Sequence, residues 1–174
     1  MTYHNLPGPH ELSMTVLMTP DMANFSGKVH GGAILKKLDE VAYACGSRYS
    51  GTYVVTLSVD QVLFKQPIHV GELVTFLASV NHVGQSSMEI GIKVIAEDIR
   101  NKLIRHTNSC YLTMVAMSDD GQPVKVEPLE LNTPIQKLRF EKAARRKQLR
   151  KQAESEERRV SRELEEKIRQ NTSA

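Results

Sequence analysis

Long apolar runs are missing from this sequence of 174 residues. No stretch of about 18 or more apolar residues occurs, so no segment reads as a transmembrane helix. The opening residues, "MTYHNLPGPHELSM", have neither a basic start nor an apolar centre, and no secretory leader is expected. Cysteine is scarce. Cys45 and Cys110 stand far apart without metal-site spacing, and read as buried free thiols of a reducing cytosol. "NFS" and "NTS" match a glycosylation acceptor, but without a secretory route the matches are accidental. The expected location is the cytoplasm, with no membrane partner and no bound metal.

What is present supports one domain and an appendage. The hydrophobic fraction of 40% suits a globular core, and the length leaves residues to spare. The net charge of +3 is unevenly spread. Residues 137–170 carry 13 Lys+Arg against 7 Asp+Glu, which leaves 10 against 13 elsewhere. The body is therefore acidic and the tail basic. The expected division is an N-terminal segment over 1–9, a domain over 10–135 and a charged helical extension over 136–174.

The pattern of the domain is helix first, then strands. "ELSMTVLMTPDM" opens as a short strand and turns at Pro20. Residues 21–30 read as a loop. From Gly31 to Tyr49, Ile34, Leu38, Val41, Ala42 and Cys45 fall on one helical stripe, with Gly46 and Gly51 loosening the end. "TYVVTLSVDQVLFKQPIHV" reads as a long strand in which Val55, Leu57 and Val59 alternate with Thr56, Ser58 and Asp60. Three further strands follow, the first being "GELVTFLASVNHVG". In the second, Met88, Ile90, Ile92 and Val94 share a face; in the third, Ile104, Cys110, Leu112 and Met114 do. Short turns between them predict an antiparallel meander. The fold class is α+β, a curved sheet wrapped around one long helix. The tail has no Gly or Pro after Pro134 and is built of strong helix formers. Its apolar residues are too sparse for a continuous coiled-coil seam, so it reads as a solvated helix fraying toward Ala174.

The chemistry gathers in "NFSGKVHGGAILKKLDEV". At about 100° per residue, Asp39 lies roughly 40° beyond Leu35, at the edge of the apolar stripe. Partial desolvation there would raise its pKa and suit a general base or nucleophile. A surface aspartate paired with Lys36 or Lys37 is the plain alternative. Gly31 and Gly32 open the helix, where free N–H groups and the dipole favour negative charge such as an oxyanion. A tight turn needing glycine is the alternative reading. His30 reads as a substrate contact or a cap satisfied by backbone. Asn24 can donate to a carbonyl or orient a water, or simply form a turn. "NHVGQSS" offers Val83, Gly84, Ser86 and Ser87 between two strands, and Lys65 and Arg145 are candidate phosphate partners.

The string N-F-S-G-K-V-H-G-G-A-I-L-K-K-L-D-E-V-A resembles the hotdog-fold acyl-CoA thioesterases, in their cytosolic acyl-CoA hydrolase branch. "VDQVLFKQPIHVGELV" and "VGQSSMEIGIKV" extend the likeness over roughly residues 10 to 135. Leu38 departs from the family's usual Met, a change between apolar side chains of similar volume. The resemblance implies a hotdog fold that hydrolyses acyl-CoA to free acid and coenzyme A, with no cofactor beyond the substrate. It implies Asn24 and Asp39 acting together from different subunits of a dimer, and dimers gathered as a trimer. It places Val83, Gly84, Ser86 and Ser87 along the CoA chain. Two rival readings remain at this level. One is a non-catalytic acyl-CoA sensor, although the glutamates interleaved in the tail argue against nucleic acid. The other is a hotdog dehydratase, for which His69, His82 and His106 form no fitting pattern.

Overall fold

A computed structural model describes residues 8–172, in two compact units: the chain up to Glu130 and the chain from Leu131 onward. The segment expected over residues 1–9 lies outside the described residues apart from Gly8 and Pro9, as does the tail's end beyond Thr172. The first unit holds β1 (Glu11–Leu17), α1 (Gly31–Ser50), β2 (Tyr53–Val59), β3 (Leu73–Val83), β4 (Ser87–Asp98) and β5 (Leu103–Met117). The second holds α2 (Pro134–Thr172).

α1 starts and stops for local reasons. His30 keeps an extended backbone, and its Nδ1 accepts the Gly32 N–H at 2.9 Å, capping the first turn. Gly51 ends the helix in a left-handed conformation, φ 70°. Between them Ile34, Leu38, Val41, Ala42 and Cys45 are buried, the expected stripe. Gly46 joins them rather than loosening the helix. A Cβ at Gly46 would lie 3.4 Å from Val54 and 3.7 Å from Met88, so its bare backbone lets α1 settle closely on the sheet.

The sheet is antiparallel, in the order β1-β3-β4-β5-β2. α1 touches all five strands. Phe76, Met88, Ile90, Ile92, Leu112 and Met114 are almost wholly buried in this core, each contributing about 1.5–3 kcal/mol by removal from water. The meander expected from the turns holds for β3, β4 and β5. β2 departs from it, because it pairs with β5 at the far edge instead of with β3. The long strand expected from Thr52 therefore stops at Val59. Residues 60–72 carry the chain back across the sheet. They are pinned by Asp60 N–H to the Tyr111 carbonyl and Val29 N–H to the Ile68 carbonyl, both 2.9 Å. Buried Glu72 anchors the end of this crossing. It accepts Arg105 Nη2 on both oxygens at 2.9 Å and the His69 N–H at 3.0 Å. Burial pushes the Glu72 carboxyl up, but the His69 N–H, the Arg105 guanidinium and the His69 ring outweigh it and hold it below the usual range.

Extra residues in the strands break the expected alternation. Val94 faces Asn108 while Ile95 faces His106, so Thr107 is a bulge on β5. One inserted residue exchanges the two faces of a strand. Ile104, expected inward with Cys110, Leu112 and Met114, is accordingly 66% exposed. On β2 the register slips between Thr56 and Ser58. Val54 is the residue buried against α1 there, whereas Leu57 and Val59 are exposed.

Candidate active site

Asp39 occupies the α1 surface that faces β2. It lines a cleft of about 430 Å³ with Glu40 and Tyr43 of α1, Tyr53, Val54, Val55 and Thr56 of β2, and Met114 of β5. The Thr56 hydroxyl reaches Asp39 Oδ1 at 2.5 Å and lies 3.4 Å from Met114 Sδ. A hydroxyl has one proton, and an ionised carboxylate only accepts, so the proton points at Asp39 and the sulfur is a packing neighbour. This ties one carboxylate oxygen, and Oδ1 alone, to β2. Tyr43 and Tyr53 meet edge to face, centroids 5.9 Å apart, and wall the cleft one helical turn beyond Asp39.

The surface-pair alternative for Asp39 does not hold: among the described residues its partner is the Thr56 hydroxyl and not Lys36 or Lys37, and Lys37 turns to Glu40 at 2.7 Å. The expected half-screening does not hold within one chain either: Asp39 is exposed. Its apolar neighbours along α1 face the sheet, and β2 is an edge strand that covers only one side of it.

The other expected residues fall in three places. Asn24 shapes its own loop. Its Oδ1 accepts the Ser26 N–H at 2.9 Å, the Ser26 hydroxyl at 2.8 Å and the Lys28 N–H at 3.1 Å. Two backbone donors on one oxygen settle which end of the amide is which. Asn24 does not line the Asp39 cleft of its own chain. His30 acts as the helix cap, so its Nδ1 is unprotonated and the Gly32 N–H is already bonded. Of the two expected oxyanion donors, Gly32 is thus engaged. A Cβ on Gly31 would lie 3.6 Å from the ring of Phe64, which stands over the helix start.

Val83, Gly84, Ser86 and Ser87 form the β3–β4 hairpin, closed by the Gly84 N–H on the Ser87 carbonyl at 2.7 Å. The end of β5 and the chain beyond it clamp it: Ala116 N–H of β5 reaches the Ser86 carbonyl, and Val126 N–H the Gln85 carbonyl. Ser87 is level with Val115 and then Val55, so the hairpin stands two strands, about 10 Å, from the β2 wall of the cleft. Lys65 is exposed in the crossing segment, and Arg145 is exposed on α2 in the second unit. Both cysteines are buried, and burial pushes each thiol up to about 12, leaving them inert.

Thr56 is the site residue that sequence reasoning missed. Alternation assigned it to a polar outward face. The one available signal was its place on the first strand after the helix that carries the carboxylate.

A curved antiparallel sheet around a central helix, with a carboxylate on that helix beside the edge strand, defines a hotdog-fold thioester hydrolase. Comparison agrees. The family described as "Thioesterase superfamily" matches residues 26–102. Protein VdlD of Helicobacter pylori is 51% identical over 140 residues, 80% of each chain. The cytosolic acyl coenzyme A thioester hydrolase of Homo sapiens is 34% identical over 132 residues, which are 74% of this chain and 34% of that protein. An acyl-CoA hydrolase from Staphylococcus aureus, solved with butyryl coenzyme A and coenzyme A, superposes with TM-score 0.79 at 28% identity, covering 88% of this chain and 94% of that one. A hexameric acyl-CoA thioesterase superposes with TM-score 0.79 at 32% identity, covering 82% and 92%. The chain belongs to the hotdog thioesterase superfamily, among its acyl-CoA hydrolases. The staphylococcal enzyme has been solved with an asparagine, an aspartate fifteen residues on and a threonine seventeen further on each replaced by alanine. Asn24, Asp39 and Thr56 repeat both intervals.

Proposed function

We propose that this enzyme hydrolyses fatty acyl-CoA in the cytoplasm, with Asp39 as base or nucleophile and Asn24 supplied by a partner subunit. The observation that carries this reading is the Thr56 hydroxyl on Asp39 Oδ1 within the cleft. It holds the carboxylate in one orientation and leaves Oδ2 to act. In the general-base form, Oδ2 takes a proton from water as the water oxygen bonds to the thioester carbon. The carbonyl electrons move to oxygen, then return as the C–S bond breaks and the CoA thiolate leaves. In the nucleophilic form, Oδ2 bonds to that carbon and the C–S bond breaks to release the CoA thiolate; water then cleaves the resulting anhydride to the free acid and the Asp39 carboxylate. A thiolate is a good leaving group, its acid titrating near about 8.5, so no strong acid is required. Gly31 N–H at the α1 N-terminus is the oxyanion donor left after His30 engages Gly32. His30 serves as the cap that fixes this geometry.

Asn24 and Asp39 stand apart within one chain, and β2 presents an open edge with Leu57 and Val59 exposed. A symmetric dimer across that edge covers it, dries Asp39 and brings in the partner's loop amide. Trimers of such dimers are the assembly we assign. The β3–β4 hairpin, with Val83, Gly84, Ser86 and Ser87, takes the pantetheine, and Lys65 a phosphate. The Tyr43–Tyr53 pair walls the acyl side.

The test is thiol release from acyl-CoAs of acetyl to palmitoyl length. Asp39→Ala should lower turnover by about 10²–10⁴-fold while CoA still binds. Asn24→Ala and Thr56→Ala should each fall by a smaller factor. Near-normal turnover in Asp39→Ala would sink the assignment. Binding without turnover of any chain length by the wild type would instead favour the sensor.

A further inference from the structure

α2 carries an organised surface that the catalytic reading leaves unused. Its exposed large apolar residues are Ile135, Leu138, Leu149, Val160, Leu164 and Ile168. At about 100° per residue all six fall in one arc of roughly 120°, over nearly the whole helix. Sparse spacing hid this stripe from a heptad search. From Lys151 to Arg169 the helix is exposed on every side. Charged residues interrupt the stripe. Lys142 and the Arg145–Arg146 pair separate Leu138 from Leu149, and the Glu156–Glu157 pair separates Leu149 from Val160.

We propose that α2 binds α2 of a second copy of this chain, antiparallel, along this stripe. Charge selects the partner and the direction. Residues 137–151 hold eight Lys+Arg and one Glu, whereas residues 154–166 hold six Glu and three Arg. A parallel pair would set Arg145 against Arg145 and Glu156 against Glu156. The antiparallel pair sets the basic half against the acidic half. One register sets the arginine pair against the glutamate pair and matches the apolar residues, with the two-fold axis level with Lys151. Leu138 then meets Leu164 and Leu149 meets Ala153. The arginine pair stands level with the glutamate pair, and the aliphatic stem of Lys142 lies over Val160. Small Ala153 beside the axis allows the helices to approach to about 8–10 Å.

The test uses the full chain with a short bismaleimide, the native thiols being buried. Lys142 and Val160 share the centre of the stripe and are about 27 Å apart within one helix, too far to link internally. The double variant Lys142→Cys/Val160→Cys should give a covalent dimer as its main product, and either single variant none. Adding Leu164→Asp to the double variant should cut the yield by about tenfold, the effect of about 1.4 kcal/mol. Linkage of the single variants would mean a parallel pair and overturn the proposal. So would absence of linkage in the double variant with helicity intact by circular dichroism. Protection of these cysteines by anionic vesicles, without linkage, would assign the stripe to a lipid surface and overturn it equally.

Discussion

α1 and α2 are both regular helices, yet they are kept helical by different things. α1 buries six residues in its 20 and touches every strand. It also carries three glycines and a β-branched Val41, poor helix formers that packing overrides. α2 runs to 39 residues and is exposed on all sides from Lys151 to Arg169. Its support there is intrinsic propensity and pairs such as Arg159 with Glu156 and Glu163 at 2.6 Å. One helix is made by its neighbours, the other by its composition. In the mechanism we propose, that is why Asp39 sits on α1: a group that must hold one geometry needs an element that cannot shift.

The contrast can be broken in graded steps. Leu38→Ala empties a site at the centre of α1 and should cost about 2–5 kcal/mol in denaturant unfolding. A value near zero would mean that the helix holds itself. Glu72→Gln removes the charge that anchors Arg105 and the crossing segment, and should cost about 1–3 kcal/mol. The same carboxyl predicts an acid response. Its folded pKa is lowered, so its stabilisation is complete above the ordinary carboxylate value of about 4.3 and fades as pH falls through the folded value. Thermal midpoints measured downward from pH 6 should drop less in Glu72→Gln than in the wild type. Gly91→Ala tests the sheet against the same scale. A Cβ at Gly91 would collide with the buried Asn81 amide, for a cost of about 1–3 kcal/mol. Leu164→Ala, on the exposed part of α2, should move the unfolding of the sheet by less than about 0.5 kcal/mol. A dimer that shares its site gives the sharpest check on α1. Co-expressed Asn24→Ala and Asp39→Ala chains should recover roughly a quarter of wild-type turnover, since half the dimers are mixed and each mixed dimer rebuilds one of two sites.

Local rules made much of this legible. The cap at His30, the stop at Gly51 and the stripe from Ile34 to Cys45 are short-range features, and the sequence displays them. β3, β4 and β5 are joined by turns short enough to force neighbours together. β2 was harder, because its partners on β5 lie 53 to 64 residues on and nothing in "TYVVTLSV" states which edge it joins. The bulges at Leu57 and Thr107 are likewise tertiary, and each misplaced a face: Thr56 was overlooked and Ile104 was turned inward. For the site, Asp39 was legible as a carboxylate at a stripe's edge. Its exposure was not, because the surface that covers it belongs to another chain in the arrangement we propose.

The bulge on β2 bears on how this enzyme can change. Thr56 lies opposite Met114, and two residues on Ser58 already lies opposite Thr113, with Leu57 unpaired between them. Loss of the codon for Leu57 would restore regular pairing and force one flank of the strand to slide by a residue. Either the threonine turns from the carboxylate, or the edge beyond it presents its other face. Substitutions can retune this region one side chain at a time, but a change of length there alters hydroxyl and edge together. Lineages that diversify their substrates should therefore show insertions in the crossing segment at residues 60–72 and keep the spacing from Asp39 to Thr56 constant.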